Sequence, residues 1–211
     1  NVTVAGLADR IDGGALLGLD FQKMELSTRG YDGANVLKNN PNFGWDFGTG
    51  TALGSLASAT PAKVSNTTVA AEKYYMIVDG MNGGSIAAGH ERWFELTSFD
   101  FGAFRDGSNF DFDNVTVEMD GDMGLTAMIR AATMGSAIKG IRIVGVNDVS
   151  GTEKTVYQLA LTDVQVQSVD DTGAPGYSAV FDYGKFALRT FDGITGAQTG
   201  VTGWDLVADT N

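Results

Sequence analysis

Asn109, Asp111 and Asp113 stand at alternate positions, and Asp120 follows at the twelfth place of what would be a calcium loop. Such spacing offers a hard cation several oxygens, with an acidic group closing the loop. The sixth place, where a calcium loop turns on glycine, is Asn114, and the segment around it alternates like a strand. Solvent-facing alternation is therefore the favoured reading, and these four residues stay as metal candidates beside it. His90 is the only histidine, so a site built from several imidazoles is excluded. Its Ala-Gly-His-Glu setting reads as a solvated surface loop. No Gly-x-Ser-x-Gly elbow is present to activate a serine, and no Walker A sequence to cradle a phosphate. Gly48, Gly50 and Gly54 do not fit the dinucleotide fingerprint. Trp45, Trp93 and Trp204 read as core or interface aromatics before they read as sugar-stacking platforms. No catalytic residue and no cofactor emerges, so the expectation is a protein that is not an enzyme.

Composition narrows the partners. Fourteen basic against 26 acidic residues give a formal charge of −12. Nucleic acid and anionic membranes both need clustered Lys and Arg, so neither is expected. With no cysteine, thiol nucleophiles, disulfides and Cys-ligated metals are excluded. No run of about 18 apolar residues is available to cross a bilayer as a helix, and no membrane insertion is expected. A start at Asn1 rather than Met points to a cleaved secretory signal.

The element that must position everything else is the stretch 156–169, VYQLALTDVQVQSV. Tyr157, Leu159 and Leu161 alternate with Gln158, Ala160 and Thr162, the period of a strand with one face in a core. After Asp163 the phase slips by one, and Val164 and Val166 continue the apolar row, as at a β-bulge or a sharp bend. Further strands are predicted at 74–78, 93–101, 111–119, 141–146, 178–191 and 201–207. Between them Leu125, Met128, Ile129 and Ala132 form a helical stripe, with Asp120 or Asp122 as N-cap and Gly135 as the stop. The pattern is that of a β-barrel with a single helical insert.

Residues 1–72 differ in texture. Val2, Val4 and Leu7 start one strand and residues 15–26 supply another. A Gly-, Asn-, Thr- and Ser-rich stretch then runs over 30–71, too poor in apolar residues to fold alone. The domain reading is an N-terminal arm over 1–72 and a barrel over 73–211.

The second part resembles a known family. The pieces are YYMIVDGMNGGS (74–85), RWFELTSFDFG (92–102), FDNVTVEMDGDMGLTAMIRAATMG (112–135), YQLALTDVQVQSV (157–169), FDYGKFALRTFDG (181–193) and TGWDL (202–206). In this order they resemble the Hcp (hemolysin-coregulated protein) family, the tube proteins of type VI secretion. The resemblance implies a β-barrel of two sheets with one α-helix, and protomers that form hexameric rings stacking into a hollow tube. Two departures stand out. About 72 residues precede the first family strand, and the ring-contact loop after FELTSFDFG is reduced to residues 103–109.

Joined, these departures predict an arm that adds a strand or wedge to an adjacent subunit. Its contact residues would be Val2, Val4, Leu7, Leu17, Phe21, Phe43, Trp45 and Phe47, with Phe104 on the barrel. The functional expectation is a secreted structural subunit that assembles with itself into an extracellular tube or filament. One alternative is a type VI inner-tube protein in stacked rings, held in the cytoplasm and loaded into the secretion machine. A further alternative is a carbohydrate- or calcium-binding β domain using Trp45 or the carboxylates from Asn109 to Asp113.

Overall fold

The computed structural model describes residues 2–10, 15–26, 29–31, 37–39, 43–53, 70–106, 109–171 and 176–208. The chain divides into two compact units, one of residues 1–6 and 17–63, the other of residues 7–16 and 64–211.

In the smaller unit the first residues of β1 (Val2–Arg10) run beside β2 (Ala15–Phe21), with Gly6 and Gly18 at their close approach. β3 (Lys23–Leu26) follows, and β4 (Arg29–Tyr31) pairs antiparallel with β5 (Leu37–Asn39). β6 (Phe43–Asp46) lies between β3 and β7 (Thr51–Leu53) in a three-stranded sheet. The described residues of 29–71 thus include four short strands that the composition does not announce. Asp46 explains one connection. Its carboxylate accepts the N–H groups of Gly48 and Thr49 at 2.9 and 3.2 Å, which fixes the turn between β6 and β7. Lys23 Nζ, 2.9 Å away, and those two donors hold the Asp46 carboxyl below its ordinary value.

The larger unit contains β8 (Lys73–Val78), β9 (Phe94–Asp106), β10 (Asn109–Phe112), β11 (Val115–Met119), α1 (Leu125–Met134), β12 (Ile138–Val149), β13 (Thr152–Asp170), β14 (Tyr177–Phe191) and β15 (Gln198–Asp205). The pairing order β11-β14-β13-β12-β8-β9 returns from β9 to β11, closing six antiparallel strands into a barrel. β10 and β15 attach to β9 and β14 outside that ring. β8 pairs only with Phe94–Leu96 of β9. The sheet continues from β9 to β1, and the Leu7 carbonyl lies beside Gly102. The core inside is Met76, Val115, Val117, Ile143, Leu159, Leu161, Val164 and Phe181 with their neighbours.

The phase slip at Asp163 is a corner shared by three strands. Buried positions jump from Leu161 to Val164 on β13, from Ile138 to Ile141 on β12 and from Tyr183 to Phe186 on β14. The pairing 162↔185 and 164↔183 keeps one register across the bend, as does 140↔162 and 138↔164. A slip in one strand alone would send its apolar row outward; three strands turning together keep the core filled on both sides. Asp163 makes the bend with φ +56°, a left-handed conformation that Asp tolerates better than most residues. Glycine is required at 176, where φ is +102° and a Cβ would overlap the Met119 carbonyl.

The helix begins at Gly124 with no side-chain cap, so neither Asp120 nor Asp122 caps it. Met128 and Ala131 are buried and Leu125 and Ala132 pack on the core, while Ile129 faces out at 43% exposure. The apolar stripe is therefore rotated towards Ala131, away from Ile129. Gly135 ends it in the left-handed conformation, and Gly135 and Ser136 donate back to the last turn.

Candidate functional site

His90 is not on the surface. Its side chain is buried in the loop between β8 and β9, stacked on Tyr75 at 4.3 Å and 11°, with Trp93 edge-on at 4.5 Å. Nε2 meets Glu153 across 63 residues of sequence. Nδ1 is buried with no hydrogen-bond partner among the described residues. Burial, with Glu95 and Glu153 nearby, pushes the Tyr75 hydroxyl above its ordinary value. This loop covers Tyr75, Val144 and Val146, an apolar group on the outer side of the barrel wall. An imidazole packed against two aromatics, with its hydrogen bond to Glu153, acts as a clasp for the loop.

The four carboxylate and carboxamide positions do not converge. Asn109 and Asp111 lie on β10, while Asp113 follows it and Asp120 lies beyond β11. The five strand residues of β11, at about 3.3 Å each, span about 16 Å between Asp113 and Asp120, too far to share one ion. Among the described residues no three His, Asp or Glu side chains gather as a metal group. Trp93 packs with Tyr75 and His90, and Trp204 rests against the core near Phe112. Trp45 is half-buried.

Several large apolar side chains lie on the surface. All seven residues of β2 are exposed, and Leu16 and Leu17 point to opposite faces because strand side chains alternate. Val2, Val4, Leu7, Leu17, Phe21 and Phe47 are all exposed, and Phe21 meets Phe47 edge-on at 5.8 Å. The side chain of Phe43 lies outside the described residues. The short loop expected at 103–109 is instead part of a hairpin, in which 103–106 pair with 109–112 and exposed Phe104 stands opposite Asp111.

The sequence model of the family described as type VI secretion system effector, Hcp, matches residues 75–189, more than half of the chain. This chain belongs to the Hcp family. Hcp2 and Hcp1 from Salmonella typhimurium share its fold at 16% identity, with TM-scores of 0.53 and 0.56. Each match covers 66% of this chain, and 99% and 98% of the Salmonella chains respectively. A type VI secretion system effector from Yersinia pestis is similar at 18% identity and TM-score 0.52, over 63% of this chain and 98% of its own. A search of the curated proteins finds no match. The Hcp match takes in β8 through most of β14, and it leaves β1 to β7 and β15 outside.

Proposed function

We propose that this Hcp-family chain is a structural, non-enzymatic subunit that assembles with itself into an extracellular tube or filament, with residues 1–72 docking on neighbouring copies. The observation that carries the reading is β2, a strand exposed on both faces that presents Leu16, Leu17, Leu19 and Phe21. Fully burying such a side chain from water contributes roughly 1.5–3 kcal/mol, and these four are already about half covered, so docking them adds about 3–6 together. Joining two copies costs an estimated 4–15 kcal/mol in lost freedom of motion, so the arm contributes substantially and the barrel must share the contact. Family membership supports a second reading, a type VI inner-tube protein whose rings stack without the arm.

Negative-stain electron microscopy of the full chain beside the L17D/F21D variant separates them. Long polymers from the first and only rings or single subunits from the second are expected. Equal polymers from both would refute arm docking and favour ring stacking.

A further inference from the structure

The closing strands of the barrel occur twice in this chain. Set against residues 164–188, residues 2–26 align without a gap, from Val2 on Val164 to Leu26 on Leu188. Val4 falls on Val166, Asp20 on Asp182 and Lys23 on Lys185. Further on, Tyr-Asp-Gly at 31–33 answers Phe-Asp-Gly at 191–193, and Phe-Gly-Trp-Asp-Phe at 43–47 answers Thr-Gly-Trp-Asp-Leu at 202–206. Identities are sparse, and the deciding likeness lies in the bonds. Lys23 pairs with Asp46, Met24 with Trp45, Glu25 with Gly44 and Leu26 with Phe43. In the barrel Lys185 pairs with Asp205, Phe186 with Trp204, Ala187 with Gly203 and Leu188 with Thr202, the same register position by position. Lys23 Nζ reaches the Asp46 carboxylate at 2.9 Å, and Lys185 Nζ that of Asp205 at 2.7 Å. Asp46 accepts the N–H groups two and three residues on, those of Gly48 and Thr49, and Asp205 accepts those of Val207 and Ala208. The Phe47 N–H donates to the Gln22 carbonyl, and the Leu206 N–H to that of Gly184. Gly18 approaches Gly6 where Val180 pairs with Ser168. A register, an ion pair and a turn that recur together are one supersecondary unit built twice.

What differs is the cover. Ala179, Phe181 and Tyr183 sit in the barrel core at no more than 4% exposure, whereas their counterparts Leu17, Leu19 and Phe21 are 37–56% exposed. Val164 and Val166 are buried too, and answer to the exposed Val2 and Val4. On the opposite face Asp182 and Asp20 are exposed alike. In the barrel the inward positions are covered by core side chains of β8, β9, β11, α1 and β12.

We infer that β1, β2, β3 and β6 are the closing strands of a second Hcp barrel, and that the face of Leu17, Leu19 and Phe21 seats the opening strands of that barrel, counterparts of β8 to β12 joined ahead of Val2 in one polypeptide. The inference rests on the docking reading of residues 1–72 and changes the occupant. The opening strands of a complete neighbouring copy already carry their own β13 to β15, so they have no vacancy. A linked unit has one, and linkage raises its effective concentration at the seat. Hcp units then follow one another as beads on one chain, each closed by the strands that end it.

The chain has no cysteine, so single introduced thiols report on each face. A second copy of residues 73–162 is added ahead of Asn1, which aligns with Asp163, to give an extended chain. Leu19→Cys and Asp20→Cys are made separately in the parent and in the extended chain, and their reaction with a chromogenic disulfide is timed in dilute solution. Both should react freely in the parent. In the extended chain Leu19→Cys should slow at least about tenfold, because a core position reacts only through local opening, and Asp20→Cys should keep its rate. A second measurement does not depend on how the extended chain folds: the protein isolated from its source should carry strands of the β8 to β12 kind ahead of Asn1. Equal Leu19→Cys rates in the two chains would overturn the second barrel, and so would an isolated protein without those strands. Slowing in the parent alone as it is concentrated would overturn it too, and would make a neighbouring copy the occupant. Self-assembly itself is decided separately, by the electron microscopy above.

Discussion

Replacing Gly184 by alanine probes the three-strand corner directly. An added Cβ would lie 3.1 Å from the Asp163 Cβ across the β13–β14 pair. Carbon atoms pack best at about 3.5–4.0 Å, so the new methyl group would be compressed. Alanine is favoured over glycine within a strand by roughly 0.5–1 kcal/mol, whereas overpacking costs about 1–3. The single variant should therefore lose about 1 kcal/mol. Asp163→Gly relieves a left-handed residue, a gain of about 1 kcal/mol, and returns a similar amount in chain entropy. It should be nearly neutral. In the double variant the compressed partner has gone while the alanine gain remains, so it should be slightly more stable than the parent. The coupling between the two sites is then about 1–2 kcal/mol, read from urea unfolding of all four proteins. If the single effects add to within about 0.3 kcal/mol, the two sites are not in compressive contact and the corner is looser than argued.

Two further outcomes follow from the contacts described. His90→Ala should remove the ring between Tyr75 and Trp93 and lower stability by about 2–4 kcal/mol in chemical denaturation, whereas His90→Phe should keep most of the stacking. Asp46, whose carboxyl is held below its ordinary value, stabilises the folded state above the unfolded pKa and loses that contribution as pH falls through the lower folded one. The melting temperature of Asp46→Asn should therefore trail the parent at neutral pH, and the gap should close in acid.

Much of the barrel was legible because its strands alternate strictly and its one helix carries a stripe. The parity change after Asp163 was visible too. That it is a corner rather than a bulge needed the matching jumps on β12 and β14, which no single strand displays. The helix start was misjudged because Gly124 takes up the turn in the left-handed conformation, so the nearby acids are not needed as caps. His90 looked solvated because its partners are distant in sequence: Tyr75 lies on a strand before the loop, and Glu153 lies 63 residues later. The short strands β4 to β7 escaped notice because turn chemistry such as that of Asp46 holds them, with few apolar residues to betray a period.

The brevity of β8 has a consequence for how copies compete. By ending its pairing at Leu96, it leaves the rest of that edge of β9 to β1. A strand supplied by a neighbouring copy would satisfy the same main-chain bonds, so self-closure and linkage draw on a single slot. Which one wins is set by the effective concentration of the chain's own strand against the real concentration of others. If copies link in the way proposed, dilute subunits would close on themselves and crowded ones would exchange ends, so polymer growth would switch on at a threshold rather than rise in proportion.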